Sequence, residues 1–154
     1  MADADHAVLR GGCQCGAVRY ALDAVPDTPS ICHCRMCQKA FGSPFAALAG
    51  LDARHFRLTR GEIAVFKSSE AGRRGFCRAC GTPLTYAVAG LPRIAVSIGS
   101  LDEPERVPPA MQEGIEGRLS WFADLHLLPG RTTEESMPAD LLARLQSRQA
   151  PDRD

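Results

Sequence analysis

The chain has 154 residues, of which 45% are apolar and 23% charged, and its basic and acidic residues balance at 18 each. This length fits one domain over residues 1–154, and the composition excludes a disordered chain. A formal net charge of zero gives no electrostatic footprint for nucleic acid, and no apolar run is long enough to predict a membrane span. Residues 1–10 lack the basic and apolar regions of a secretion signal, which predicts a cytoplasmic protein.

Alternating apolar residues predict a mainly β protein. The first strand covers residues 17–22, where Val18, Tyr20 and Leu22 share one face. Glycine, proline and aspartate separate the later candidates, as they do between strands. These later strands are predicted at residues 55–59, 63–68, 83–88 and 93–101, and residues 117–125 form a further strand or an irregular wall.

Two helices are predicted. The first follows the middle cysteine group, from about Arg35 to Phe41, where Gly42 favours a C-terminal cap. The second covers about residues 138–149 and has a proline in its first turn. Its apolar stripe is expected to pack against the sheet, outside a core of about residues 8–130 and before a frayed tail at residues 150–154. The stripe consists of Leu141, Leu142 and Leu145.

Seven cysteines are the most informative feature of the composition. An odd number, with pairs only two positions apart, disfavours a disulfide framework and favours metal ligation in a reducing compartment. They form three groups in the chain, namely Cys13 and Cys15, then Cys32, Cys34 and Cys37, then Cys77 and Cys80.

The first and third groups predict a structural zinc site, because two distant cysteine pairs form a closed tetrahedron of four thiolates. Its ligands are Cys13, Cys15, Cys77 and Cys80. Glycines flank both pairs, and Gly81 allows a tight turn whose amides point at sulfur.

The middle group predicts a second, open zinc site. Cys34 and Cys37 are three apart, on one face of the predicted helix, and Cys32 precedes them on extended chain. Three protein ligands with a free fourth position are typical of a catalytic zinc, so the chain is expected to hold two zinc ions. The fourth ligand is then the substrate.

Two alternatives remain open at this point. A histidine closes the middle site, His33, His55 or His126, although the ring of His33 is expected to point elsewhere. Alternatively, the middle group combines with Cys77 and Cys80, which leaves the first pair free.

The cysteine motifs resemble those of the glutathione-dependent formaldehyde-activating enzyme family, whose relatives include centromere protein V. The matching pieces are "GGCQCGAVRY", "CHCRMCQKAFGSPF", "SSEAGRRGFCRACGTPLTY" and, more weakly, "WFADLHLLPG". The resemblance implies a β-tent of stacked antiparallel sheets with zinc knuckles. It also implies the same division of the cysteines into a structural and a catalytic site.

The activity that the resemblance implies is that of a carbon–sulfur lyase, which joins glutathione and formaldehyde into S-hydroxymethylglutathione. Three thiolates make the middle site negative, which favours delivery of the substrate thiol over activation of the carbonyl. The alternatives are a non-catalytic carrier of glutathione or another small thiol, and a structural zinc module that docks a protein.

The candidate substrate-binding residues are Ser43, Arg73 and Arg74, with the arginines as anchors for carboxylates. The competing interpretations are a helix-terminating turn for Ser43 and a solvated hairpin tip for the arginines. The chain departs from the family at "PPAMQEGIEGRLSW", which lacks the histidine often found before the tryptophan, here Trp121.

Overall fold

The computed structural model of the chain describes residues 7–153, and this part contains ten strands in two sheets. In chain order the strands are β1 (Leu9–Gly12), β2 (Arg19–Leu22), β3 (Thr28–Cys32), β4 (Ala46–Asp52), β5 (Phe56–Arg60), β6 (Ala64–Lys67), β7 (Gly72–Phe76), β8 (Pro83–Val88), β9 (Arg93–Ser97) and β10 (Met111–Glu113).

A small and a large sheet build the fold. The small sheet has the order β1-β2-β5, and the large one has the order β10-β3-β4-β9-β8-β7-β6. Neighbouring strands are antiparallel except β10, which runs parallel to β3 at the edge of the large sheet. The mainly β prediction is confirmed, and the parallel edge pair is an addition to it.

Several strands were not predicted, namely β1, β3, β4, β7 and β10. The sequence of β4, AALAGLD, is rich in small residues with low strand propensity, so its neighbours in the sheet determine its conformation. Of the two alternatives for residues 117–125, the irregular one holds and the strand does not, because the chain there forms short 3-10 turns at Ile115–Gly117 and Phe122–Leu127. The predicted strand at 93–101 ends at Ser97 and continues as a 3-10 turn.

The first helix, α1 (Arg35–Phe41), has the predicted bounds. Cys34 is its N-cap, and Gly42 ends it in the left-handed conformation with φ of 57°. Between β3 and β4, α1 is the only helical segment.

The C-terminal helix is shorter than predicted. The chain forms α2 (Thr133–Ser136) and then α3 (Ala139–Arg144). No residue of α3 is buried, and Leu145 after it is 55% exposed, so the expected packing of the leucine stripe against the sheet is wrong. A helix of six residues has too few turns to present a continuous apolar face. Beyond it, the N–H of Ala150 donates to the carbonyl of Gln14 in the first cysteine loop.

The main core lies between the two sheets. It comprises Leu9, Val18, Tyr20, Leu22, Ala49, Leu51, Leu84, Val96, Ile98, Leu101 and Val107, together with Cys13 and Cys77.

Strand β4 divides its side chains between this core and the opposite face of the large sheet. Ala49 and Leu51 pack into the main core, whereas Ala46 and Leu48 pack under α1 with Cys37. This is the alternation that a strand imposes on successive residues. The large sheet therefore carries the core on one face and α1 with its cysteines on the other. No helix in the range 7–153 is long and apolar enough to cross a membrane.

Candidate metal centres

The cysteines of the first and third groups meet in one cluster, called the four-cysteine cluster: Cys13, Cys15, Cys77 and Cys80. Their sulfur atoms all lie within 4.8 Å of one another, with Cys13 and Cys15 3.5 Å apart and Cys15 and Cys77 3.8 Å apart. Four sulfurs bound to one zinc at about 2.3 Å lie about 3.8 Å apart in a tetrahedron, so the donor set fits zinc. A disulfide requires about 2.05 Å, which these separations exceed.

Two similar loops hold this cluster. In each, a glycine with positive φ follows the second cysteine, Gly16 at 76° and Gly81 at 78°. The N–H groups of these glycines donate to the carbonyls of Cys13 and Cys77, respectively. The N–H of Val18 donates to the sulfur of Cys13 over 3.2 Å. The tight turn predicted at Gly81 is present, and the first loop has the same form.

Thr82 connects the two loops, although its pattern in the sequence gave no signal. Its hydroxyl lies 3.1 Å from the sulfur of Cys80 and accepts a hydrogen bond from the N–H of Gln14. Burial raises the pKa of the Cys80 thiol, but hydrogen bonds from Thr82 and from the Cys15 region outweigh it and lower this pKa to about 6. Cys80 is thus ready to donate a thiolate to a metal near neutral pH.

The middle cysteines form the three-cysteine cluster: Cys32, Cys34 and Cys37, whose sulfur atoms lie within 4.8 Å of one another. Cys32 ends β3, Cys34 caps α1, and Cys37 lies in its first turn. The sulfur of Cys34 accepts the N–H of Cys37 over 3.4 Å. Within the described part of the chain, no histidine or carboxylate joins either group.

The three candidate closing histidines lie elsewhere. His33 is fully buried, its Nε2 is 2.9 Å from Oε1 of Gln112, and its ring packs edge-on against Phe122. Its ring therefore points away from the cluster, as predicted. His55 accepts a hydrogen bond from its neighbour Arg54, and His126 is exposed in a 3-10 turn.

The three thiols of this cluster differ in acidity. Burial raises the pKa of Cys32 to about 12, and burial also raises the pKa of Cys37 against the opposing hydrogen bond from Arg74. Burial acts in the same direction on Cys34, but hydrogen bonds from Cys37 and Cys32 and the charge of Arg74 lower the pKa of Cys34 below its ordinary value. Cys34 is the sulfur that these surroundings favour as a thiolate.

Arg74 is the charged neighbour of the three-cysteine cluster. Its side chain is on β7, only 8% exposed, and its Nη2 donates to the sulfur of Cys37 over 3.5 Å. Its guanidinium lies 4.8 Å above the ring of Tyr86, a cation–π arrangement that fixes its orientation. Its Nε and Nη1 have no hydrogen-bond partner among the described residues. A divalent ion bound to three thiolates would leave one excess negative charge, and the buried guanidinium of Arg74 would offset it.

A cavity of about 220 Å³, called the cysteine-side cavity, opens beside this cluster. Its floor is the face of the large sheet that points away from the main core. In the register, Ser30 lies opposite Leu48, and Tyr86 lies opposite both Arg74 and Ala95, so all five point to one side. The three thiol groups therefore border an open space rather than packed protein.

Glu113 lines the same cavity from β10, where it is paired with Cys32 in the parallel register. The hydroxyl of Ser30 donates to its Oε2 over 3.4 Å. Gly114 follows with φ of 60°, and a Cβ there would lie 2.9 Å from the backbone nitrogen of Cys34. The segment that lacks the expected histidine thus places a carboxylate beside the thiols and approaches the cluster closely.

The predicted substrate-binding residues have different positions. Ser43 lies in the turn after α1, where its N–H donates to the carbonyl of Gln38, and it does not line the cysteine-side cavity. The guanidinium of Arg73 donates to backbone carbonyls of its own turn, including that of Glu70 at 2.9 Å. Arg73 and Arg74 are in a strand, not at a hairpin tip as the competing interpretation had it, and only Arg74 reaches the cysteines.

Comparison with known proteins identifies the family of the chain. Residues 8–115 match the family described as "Glutathione-dependent formaldehyde-activating enzyme". The chain belongs to this family of enzymes. The resemblance predicted from the cysteine motifs is confirmed.

Two individual relatives are informative. An uncharacterized lyase of Schizosaccharomyces pombe is 33% identical over 79 residues, which are 50% of this chain and 56% of that protein. The chain therefore spans about half the length of this curated relative. A crystal structure of a Rhodobacter sphaeroides protein, from structural genomics, has a TM-score of 0.55 at 21% identity and covers 67% of this chain and 98% of that one. This second likeness shows a shared fold.

Proposed function

We propose that this protein is a zinc-dependent carbon–sulfur lyase that forms or cleaves the adduct of a small thiol with an aldehyde. Glutathione and formaldehyde are the first substrates to test, because they name the family. The observation that carries the proposal is the three-cysteine cluster, whose sulfurs converge beside an open cavity and have no fourth ligand among the described residues. The four-cysteine cluster is the proposed structural zinc site.

The reaction needs a thiolate and a proton relay. In the forming direction, the S–H bond breaks, sulfur bonds to the carbonyl carbon, and the carbonyl oxygen takes a proton to become a hydroxyl. Cleavage is the reverse. Zinc held by Cys32, Cys34 and Cys37 would keep the substrate thiol in its thiolate form near neutral pH.

The chain supplies the other parts of this chemistry. Glu113, on the cavity wall opposite Arg74, accepts the thiol proton and returns it to the developing hydroxyl. Arg74 balances the negative charge of the thiolates and orients Cys37. Leu48 and Ala95 on the cavity floor keep bulk water from the reacting sulfur.

The test measures metal content, thiol binding and turnover on one preparation. We expect two zinc ions per chain, thiol binding that changes the absorption of a cobalt-loaded protein, and faster adduct formation than in the uncatalysed mixture. Cys34→Ser should abolish the thiol response and turnover. Thiol binding without acceleration would instead identify a carrier, and no response to any thiol would leave only a structural zinc module.

A further inference from the structure

A second cavity, of about 310 Å³, adjoins the cysteine-side cavity and is called the basic cavity. It lies between α1 and the β6–β7 edge of the large sheet. Met36 and Arg74 line both cavities, so the two spaces share a wall at the three-cysteine cluster. A molecule whose sulfur lies at the cluster can therefore extend into the basic cavity past Met36.

The charged residues of the basic cavity are all positive. Arg35 and Lys39 are four residues apart, on one face of α1, and Arg74 approaches from β7. None of the residues lining this cavity is acidic. No carboxylate lies within ion-pair distance of Arg35 or Lys39 among the described residues, and Arg35 donates only to the amide oxygen of Gln38.

The other extension from the cysteines is different in charge. A cavity of about 170 Å³ continues along the sheet towards Arg93, past Tyr86. Arg93 already forms a hydrogen-bonded ion pair with Asp27 and also donates to Thr28. Its charge is balanced within the protein, so it offers less to an anionic ligand than the basic cavity does.

We infer that the basic cavity is the subsite for a carboxylate of the thiol substrate, and that Arg35 and Lys39 on α1 hold this carboxylate. The inference rests on the proposed function, because the sulfur must lie at the three-cysteine cluster. Arg35 and Lys39 attract the carboxylate, and the hydroxyl of Ser68 donates to it. Phe66 and Met36 contact the apolar part of the bound thiol. Arg74 separates sulfur and carboxylate and faces both.

The test compares two thiols of the same skeleton on the cobalt-loaded protein. Glutathione carries two carboxylates, and its diethyl ester carries none; 2-mercaptoethanol serves as a small neutral probe of the metal site. We expect glutathione to bind about five- to twentyfold more tightly than the ester, as contacts to two exposed cationic side chains allow. The advantage should shrink as salt rises from 20 to 500 mM, since exposed charges are screened.

The double variant Arg35→Gln/Lys39→Gln should bring the ratio of the two affinities close to one. Arg131→Gln/Arg144→Gln is the matched control. It removes two exposed positive charges that form no ion pair among the described residues and line neither cavity. It should keep the full ratio. Circular dichroism and zinc content establish that each variant is folded.

The outcomes separate the two proposals. Equal binding of glutathione and its ester by the unaltered protein, at every salt concentration, overturns the subsite but leaves the thiol site intact. A preference for glutathione that persists in the double variant overturns the assignment to Arg35 and Lys39. Failure of all three thiols, including 2-mercaptoethanol, to change the cobalt spectrum overturns the proposed function and the subsite with it.

Discussion

Nη2 of Arg74 donates to the sulfur of Cys37 over 3.5 Å. This contact connects β7, the second strand from the β6 edge of the large sheet, to α1. The side chain of the preceding residue, Arg73, instead donates to the carbonyl of Glu70 in the adjacent turn. Two adjacent arginines of one strand thus have unrelated surroundings, because successive side chains of a strand point to opposite faces.

Arg74→Met is expected to weaken zinc binding at the three-cysteine cluster by about 10–100-fold, as loss of a group that supports a metal ligand does. The variant removes both a hydrogen bond to sulfur and a positive charge beside the thiolates. Chelator competition, read as zinc per chain, measures the effect. Arg73→Met is the matched control and should retain both ions; equal loss of zinc in the two variants would contradict the role given to Arg74.

Gly114→Ala is expected to destabilise the protein and loosen the three-cysteine cluster. Alanine at a φ of 60° costs about 1–2 kcal/mol, and its Cβ would also overlap Cys34. Gly90→Ala shares the positive φ, 87°, but has no atom within 4 Å of the new Cβ, so it should show the backbone cost alone. Urea unfolding of the two zinc-loaded variants measures both losses of stability. Equal midpoints would show that the overlap with Cys34 does not contribute to the destabilisation.

Cys13→Ser and Cys37→Ser are expected to separate the two clusters. Cys13 is buried in the main core, and a structural zinc contributes about 10 kcal/mol or more to folding, so its loss should unfold much of the protein. Cys37→Ser should lose one zinc and remain folded. Melting temperature and metal content are measured together. A Cys13→Ser variant that melts like the unaltered protein would contradict the assignment of the four-cysteine cluster as the structural site.

Glu113→Gln is expected to slow adduct formation by about 100-fold or more, the usual contribution of a positioned acid–base group. The amide keeps the shape of the side chain but cannot accept the thiol proton. Zinc content should be unchanged, since Glu113 is outside the three-cysteine cluster. Glu116→Gln, an exposed carboxylate of the following turn, is the control, and a comparable rate for the two variants would exclude Glu113 as the proton acceptor.

The Asp27–Arg93 ion pair predicts a small dependence of stability on acid pH. Hydrogen bonds from Arg93 hold the pKa of Asp27 below its ordinary value of 3.8. A carboxyl with a lowered pKa in the folded state contributes stability above its unfolded pKa, and this contribution is lost as pH falls through the folded value. Asp27→Asn should therefore cost less than about 1 kcal/mol at pH 7, because the pair is exposed, and progressively less as the pH falls below 3.8. A constant difference across this range would contradict the linkage.

The cysteine clusters were largely predictable from the sequence because short loops determine their geometry. Two residues between Cys77 and Cys80, followed by glycine, fit only a tight turn, and Cys34 and Cys37 are neighbours on any helical turn. The structure also excludes the combination of the middle group with Cys77 and Cys80 among the described residues. Spacing alone had left that combination open.

The cavity walls were not predictable, because they depend on pairing between distant strands. Tyr86 reaches Arg74 only through the register of β7 with β8, which shifts at a bulge between Gly75 and Phe76. Glu113 reaches the cysteines through a three-residue polar strand that no hydrophobic pattern marks. Local propensity has no information on either pairing.

Strand β4 separates the main core from the cysteine-side cavity at the level of single positions. Ala49 and Leu51 pack into the main core, while Leu48 and Gly50, the residues beside them, border the cysteine-side cavity. Substitutions at these bordering positions reshape the pocket without removing an atom from between the sheets. Under the proposed function, thiol specificity can therefore change by point mutation, and libraries for engineering it should vary Leu48 and leave Ala49 and Leu51 fixed; Gly50 stays glycine, because a Cβ there would meet the hydroxyl of Thr28.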